Sequence, residues 1–185
     1  MEIGMNKINY IIITGIALLL MGCPARSIFP LFTQDDLVYK PELVGTWTNE
    51  NDNDLTFQKV GEMNYYKVNA LGKNGNSEAY SVRLGQVGKY WFIDSYPTKS
   101  GGDHHFIASH IISKIELKGD TMRLSSLEED WLKEMIDEKK LTIAHVQRGS
   151  DLFLTATTEE LQSLILKCAG DEKAFPQPDV FVRAK

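Results

Sequence analysis

The sequence predicts a mainly β domain of α+β type: an antiparallel meander sheet, curled into a barrel or half-barrel, with two amphipathic helices in the C-terminal third. Three observations predict it. From Leu43 to about Leu127 the chain passes through short runs rich in β-branched and aromatic residues, several of them alternating in polarity. Turn-forming clusters separate these runs, leaving no room for the crossover of a dozen or more residues that parallel pairing demands. Beyond Leu127 the apolar period changes twice to that of a one-faced helix.

Composition sets the outer bounds. At 185 residues the chain accommodates one domain with a proper core, and 43% hydrophobic with 24% charged residues are ordinary globular values. The net charge of −5 lacks the clustered basic excess of a phosphate-tracking surface, so nucleic acid is not expected as a partner.

The first element is not part of the body. Lys7 precedes the apolar run Tyr10 to Met21, about 12 residues long, whereas a membrane-crossing helix takes roughly 20. A charged start, a short apolar middle and small residues at the end make an export signal over residues 1–22. Met5-Asn6-Lys7 offers a tidier start than Met1, since Glu2 dilutes the positive charge. The four residues Leu20-Met21-Gly22-Cys23 then resemble the lipobox of bacterial lipoproteins. Leu20 matches the aliphatic site, Gly22 the small site before the cut and Cys23 the acylated thiol; Met21 is a less usual occupant of the intervening position. The resemblance implies cleavage between Gly22 and Cys23, diacylglycerol on the thiol, an acylated amine such as palmitate supplies, and a place in the bacterial cell envelope. Pro24 rather than Asp after the cysteine implies, in a Gram-negative cell, the periplasmic face of the outer membrane. Two or three acyl chains anchor stably where one does so marginally.

Residues 23–42 carry Pro24, Pro30 and Pro41 and read as a lipid-anchored tether, leaving 43–185 as the single β domain. With Cys23 acylated, Cys168 has no partner for an internal disulfide, and its apolar helix position reads as a small buried hydrophobe.

Within the body, "LTFQKV", "NYYKVNAL", "EAYSVRL", "KYWFIDSY", "HFIASHIISKIEL" and "TMRLSSL" are the strand runs. Asn51 to Asp54, Gly61, Asn74-Gly75, Gly85 to Gly88, Ser100 to Asp103 and Gly119-Asp120 are the turn signals between them. Curling into a barrel removes exposed edges from so many strands. A helix near 127–140 follows, with Ser126 and Glu129 in capping-box spacing and Leu127, Trp131, Met135 and Ile136 on one face. A hairpin turning at Gly149-Ser150 comes next, which makes the first helix an excursion from the sheet. The helix near 158–169 has Thr157 and Glu160 in the same capping relation, with Leu161, Leu164, Ile165 and Cys168 as its stripe. A last extended piece runs through "VFVR".

Gly45-Thr46-Trp47, entering the first strand of an antiparallel meander, resembles the Gly-x-Trp opening of lipocalin-like barrels. The resemblance implies that Trp47 closes the barrel floor beneath an arginine from a late strand, for which Arg148 and Arg183 are the candidates.

Chemistry-bearing groups give no catalytic, cofactor or metal site. His104 and His110 on one strand stand roughly 20 Å apart, and His104 and His105 face opposite ways, so all three, with His145, read as strand-end or core histidines. The Asn49 to Asp54 run lacks the glycine and distal glutamate of an EF-hand loop and reads as an Asx-rich turn. Glu128, Glu129, Asp130, Glu134, Asp137 and Glu138 form an acidic cluster around the first helix, in which Glu134, Asp137 and Glu138 read as a solvated face and the early carboxylates suit the positive end of the helix dipole. No Gly-x-Ser-x-Gly elbow and no phosphate-cradling glycine loop is present, so no cofactor and no enzymatic activity is expected. Adjacent aromatics such as Tyr90-Trp91-Phe92 load both faces of the sheet. The expectation is therefore a cell-envelope lipoprotein joined to the membrane through Cys23, whose lipocalin-like domain holds a small apolar or amphipathic ligand. The alternative is a structural lipoprotein that docks another envelope protein.

Overall fold

The computed structural model describes residues 23–98 and 107–184. Seven strands follow one another as antiparallel neighbours: β2 (Gly45–Asn49), β3 (Asp54–Lys59), β4 (Tyr65–Leu71), β5 (Ser77–Val87), β6 (Tyr90–Pro97), β7 (His110–Lys118) and β8 (Thr121–Ser126). Residues 127–178 leave the ring of strands. The chain then returns as β11 (Asp179–Arg183), which pairs antiparallel with β8 on one side and β2 on the other. Eight strands thus close into a barrel of the lipocalin-like kind, with no free edge in the ring.

Alternation along the strands divides the apolar residues between two cores. Inward from the wall stand Trp47, Phe57, Tyr66, Val68, Val82, Leu84, Ile93, Ile115, Met122 and Phe181, all buried. Outward from β5 to β7 stand Val87, Phe92 and Ile112, and these would face water without a second layer. The excursion supplies it. Helix α1 (Glu129–Asp137) brings Trp131 and Leu132, and α2 (Thr158–Cys168) brings Leu161, Leu164, Ile165 and Cys168. Each large side chain taken from water contributes about 1.5–3 kcal/mol. Between the helices, β9 (His145–Arg148) and β10 (Asp151–Leu154) form the expected hairpin, which joins the barrel through β1 (Arg26–Ser27), set between β10 and the start of β7.

That last contact corrects the reading of residues 23–42 as a tether. Ala25, Ser27, Leu31, Phe32 and Leu37 are buried, so the packed body begins at Pro24 rather than at Leu43. The prolines suggested a spacer, but the apolar residues between them have a face to cover. Phe32 lies flat on Gly85, where any Cβ would come within 2.5 Å of the ring. Gly85 is accordingly a strand residue selected by close packing, and the β5–β6 turn is made by Gly88, at φ +60°, with Lys89.

The two capping-box expectations part company. In α2 the Thr157 hydroxyl accepts from Glu160 N–H and the Glu160 carboxylate accepts from Thr157 N–H. In α1 the N-cap is Glu128, because Ser126 still belongs to β8 and Glu129 turns inward. There its carboxylate accepts from Leu152 N–H at 3.1 Å and from Lys133 Nζ at 2.7 Å, tying helix to hairpin.

Candidate functional site

The barrel has two unlike ends, and each is built from strand positions already fixed by alternation. At the base, residues 37–44 cross the opening as a strap. Val38 N–H donates to the Leu84 carbonyl at 2.9 Å. The Tyr66 hydroxyl accepts from Lys40 N–H at 2.6 Å and donates to the Lys40 carbonyl at 3.0 Å, so one buried side chain satisfies both backbone groups of a strap residue. Burial pushes the Tyr66 phenol up to about 12, assisted by its neighbours Tyr39 and Glu42.

Trp47 seals the centre of this end. It is fully buried, and its Nε1 donates to the Leu43 carbonyl at 2.9 Å. Of the two candidate arginines, Arg183 on β11 lies over it, with Cζ 4.2 Å from the ring. Arg183 also donates from Nη1 to the Val44 carbonyl at 2.9 Å and from Nη2 to the Glu42 carbonyl, and its Nε lies 3.4 Å from Asp120. Gly45, at φ +128°, leaves room for the guanidinium, since a Cβ there would come within 2.8 Å of Nη1. Arg148 is exposed on β9, in the hairpin outside the barrel ring.

At the mouth the barrel is hollow. A cup of about 200 Å³ is lined by Leu55, Phe57, Val68, Tyr80, Val82, Ile93, Ile111, Leu124 and Phe181, with Ser95, Ser113, Ser126 and Asp179 as its polar groups. The Ser113 and Ser126 hydroxyls are 2.9 Å apart. The Tyr80 hydroxyl donates to the Glu78 carboxylate, and burial, then that bond, raises the phenol to about 12. The polar groups are hydroxyls and carboxylates, suited to hydrogen bonding and unfavourable to an anion.

Other residues singled out in the sequence fall as follows. Cys23 is exposed, and its carbonyl accepts from Glu129 N–H at 3.0 Å, which seats the residue directly on the start of α1. Leu20, Met21 and Gly22 lie outside the described residues, as do His104 and His105. His110 faces outward from β7 and is buried against Asp94, with Nδ1 2.6 Å from Oδ1; the other Asp94 oxygen accepts from Leu31 N–H at 2.9 Å. This pair fastens the N-terminal segment to the barrel wall. His145 is exposed on β9. Cys168 is buried, and burial pushes its thiol up to about 12, in keeping with a packing residue. Among the described residues no three His, Cys, Asp or Glu side chains gather in a metal-holding group, and no helix is long and apolar enough to cross a membrane.

The residues that shape the cup, Ser95, Ser113, Ser126 and Asp179, had no motif to reveal them. Each is one inward position on a different strand, and only the register brings them together. Comparison of the chain with protein-family models, with curated proteins and with solved structures found no match.

Proposed function

We propose that the chain is a lipoprotein of the bacterial cell envelope, acylated at Cys23, whose barrel holds a small apolar or amphipathic ligand at its mouth. The observation that carries the binding role is a closed barrel plugged at one end by Trp47 and Arg183 and hollow at the other. A cup of about 200 Å³ is smaller than the roughly 300 Å³ at which drug-sized sites begin. It therefore takes a small molecule, or one end of a longer one, with a neutral or cationic group placed toward Asp179 and the serines.

The anchoring role is supported by the four residues Leu20 to Cys23 and by the exposure of Cys23. Because Pro24 already bridges to Glu128, the acyl chains hang from the body itself with no spacer between, and the domain sits against the leaflet.

Mass spectrometry of the protein purified from its own membranes tests both roles. The expected result is a polypeptide beginning at an acylated Cys23 together with a small amphiphile in stoichiometric amount. If Cys23→Ser leaves processing and membrane association unchanged, the anchor is wrong; if the protein carries no small molecule, the cup is a packing imperfection.

A second reading, a structural lipoprotein docking another envelope protein, is favoured by one feature. Val180 and Val182 on the outer face of β11 are exposed beside a groove of about 510 Å³ bounded by Thr48 to Asn51 and Gln177-Pro178. A photo-crosslinking residue at position 182 that captures one envelope protein in intact cells supports this reading, and crosslinks confined to the chain itself count against it.

A further inference from the structure

The base of the barrel carries a second pocket, with chemistry opposite to that of the mouth. It measures about 320 Å³ and is lined by residues of the strap, of the β5–β6 hairpin and of β7. Leu43, Leu84, Ile115 and Leu117 form its apolar depth. Three lysines surround it: Lys40 from the strap, Lys89 from the turn and Lys114 from β7.

Aromatic rings hold these ammonium groups in place. Lys40 Nζ stands 3.5 Å from the centroid of Trp91, and Lys89 and Lys114 stand 5.2 and 5.7 Å from that of Tyr90. Lys114 Nζ also donates to the Ala169 carbonyl at 3.2 Å, which uses one of its three protons. None of the three has a carboxylate within 4.0 Å among the described residues, although other lysines of the chain do. Glu116 is the one acid among the described residues of the lining, and it is exposed. In a chain of net charge −5, a pocket lined by three lysines and one exposed acid has a local positive excess, which favours an anion.

The geometry points to a site for an anion-headed amphiphile: a carboxylate or phosphate head held by Lys40, Lys89 and Lys114, with the first part of its alkyl chain over Trp91 and Leu117. The strap fixes this selectivity. Tyr66 binds both backbone groups of Lys40, so the ammonium is delivered to Trp91 by the same contacts that close the base. The site is independent of acylation at Cys23 and of any occupant of the mouth. Its ligand comes either from a leaflet, as a lipid headgroup, or from solution.

Titration of the full chain with four probes, followed by tryptophan emission and calorimetry, tests the assignment. Decyl phosphate and decanoate are expected to saturate one site and to shift the emission of Trp91, and decanol to bind at least tenfold more weakly. Lys40→Gln with Lys114→Gln is expected to weaken decyl phosphate at least tenfold. Lys89→Gln, at an exposed turn residue, is expected to weaken it a few fold without disturbing the fold. Ser113→Leu, which fills the mouth, is expected to leave it unchanged. Competition by phosphatidylglycerol vesicles identifies a leaflet lipid as the ligand, and absence of competition identifies a dissolved amphiphile. Three results overturn the proposal: decanol binding as tightly as decyl phosphate, inorganic phosphate alone doing so, or binding that is lost in Ser113→Leu and retained in the lysine variants. The last would place the amphiphile in the cup and leave the proposed function standing while removing this site.

Discussion

The two ends of the barrel are made from the same eight strands and differ in almost everything that decides recognition. At the base a strap, a buried tryptophan and an arginine fill the opening, and beside them lies a pocket lined by three lysines. At the mouth nothing in the described residues crosses the opening, and serine, tyrosine and acidic groups stand around an apolar cup. A closed barrel gives mechanical support at both ends; what each end accepts depends on a handful of inward or rim positions.

The sharpest test of that contrast is stability. Trp47→Ala removes the plug, and from the general cost of emptying a large buried aromatic site we expect a loss of about 3–5 kcal/mol. Leu124→Ala, half-buried beside the mouth, is expected to cost about 1–2 kcal/mol, since solvent already reaches it. Urea unfolding of both variants measures the difference, and equal losses would show that the ends are energetically alike.

Next in size is the arginine. Arg183→Met forfeits two charge-assisted bonds to strap carbonyls and the contact with Trp47, for an expected loss of about 2–3 kcal/mol. Arg148→Met, on the exposed hairpin, is expected to stay within about 0.5 kcal/mol. Thermal melts of the pair separate the closing residue from the bystander.

Alkaline pH then distinguishes the ends by a single atom each. Tyr66 and Tyr80 are both raised from 10 to about 12, so each contributes stability that is fully present below pH 10 and lost as pH climbs toward 12. For the fully buried Tyr66 the loss is about 2 kcal/mol at most, and for Tyr80, near solvent, it is discounted to less than half of that. Stability measured from pH 8 to 12 should therefore fall less steeply in Tyr66→Phe than in the parent, with a smaller change of slope in Tyr80→Phe. A reversed order would mean that the strap is not held through the Tyr66 hydroxyl.

The smallest effect expected is at the cup's polar wall. Replacing Ser113 and Ser126 together by alanine removes both partners of one hydrogen bond and should change stability by less than about 1 kcal/mol. The same double change is expected to weaken a ligand bound at the mouth severalfold while leaving decyl phosphate at the base untouched.

The sheet was legible in the sequence because alternation is a local property: each run from Leu55 to Leu127 carries its own period and its own turn. The α2 cap was legible for the same reason. What escaped depended on distance along the chain. Leu31, Phe32 and Leu37 stand among prolines, and their role appears only when the outward faces of β5 to β7 are known to need covering. Arg148 and Arg183 are equivalent as letters, and register alone puts the second beside Trp47. Lys40, Lys89 and Lys114 lie on three separate elements, and nothing local connects them. Cup and base pocket alike are products of closure.

Closure itself imposes a timetable. The ring is completed only when β11 slots between β8 and β2, and β2 has by then waited through some 130 intervening residues. Until then a nascent polypeptide exposes two unsatisfied strand margins, the arrangement most prone to sticking to other chains. Contacts of such long sequence separation also form slowly. Loss of Asp179 to Arg183 would remove the whole of that strand and leave a gap in the ring between β8 and β2. Whether the ring is open or closed is therefore decided by one late strand, β11.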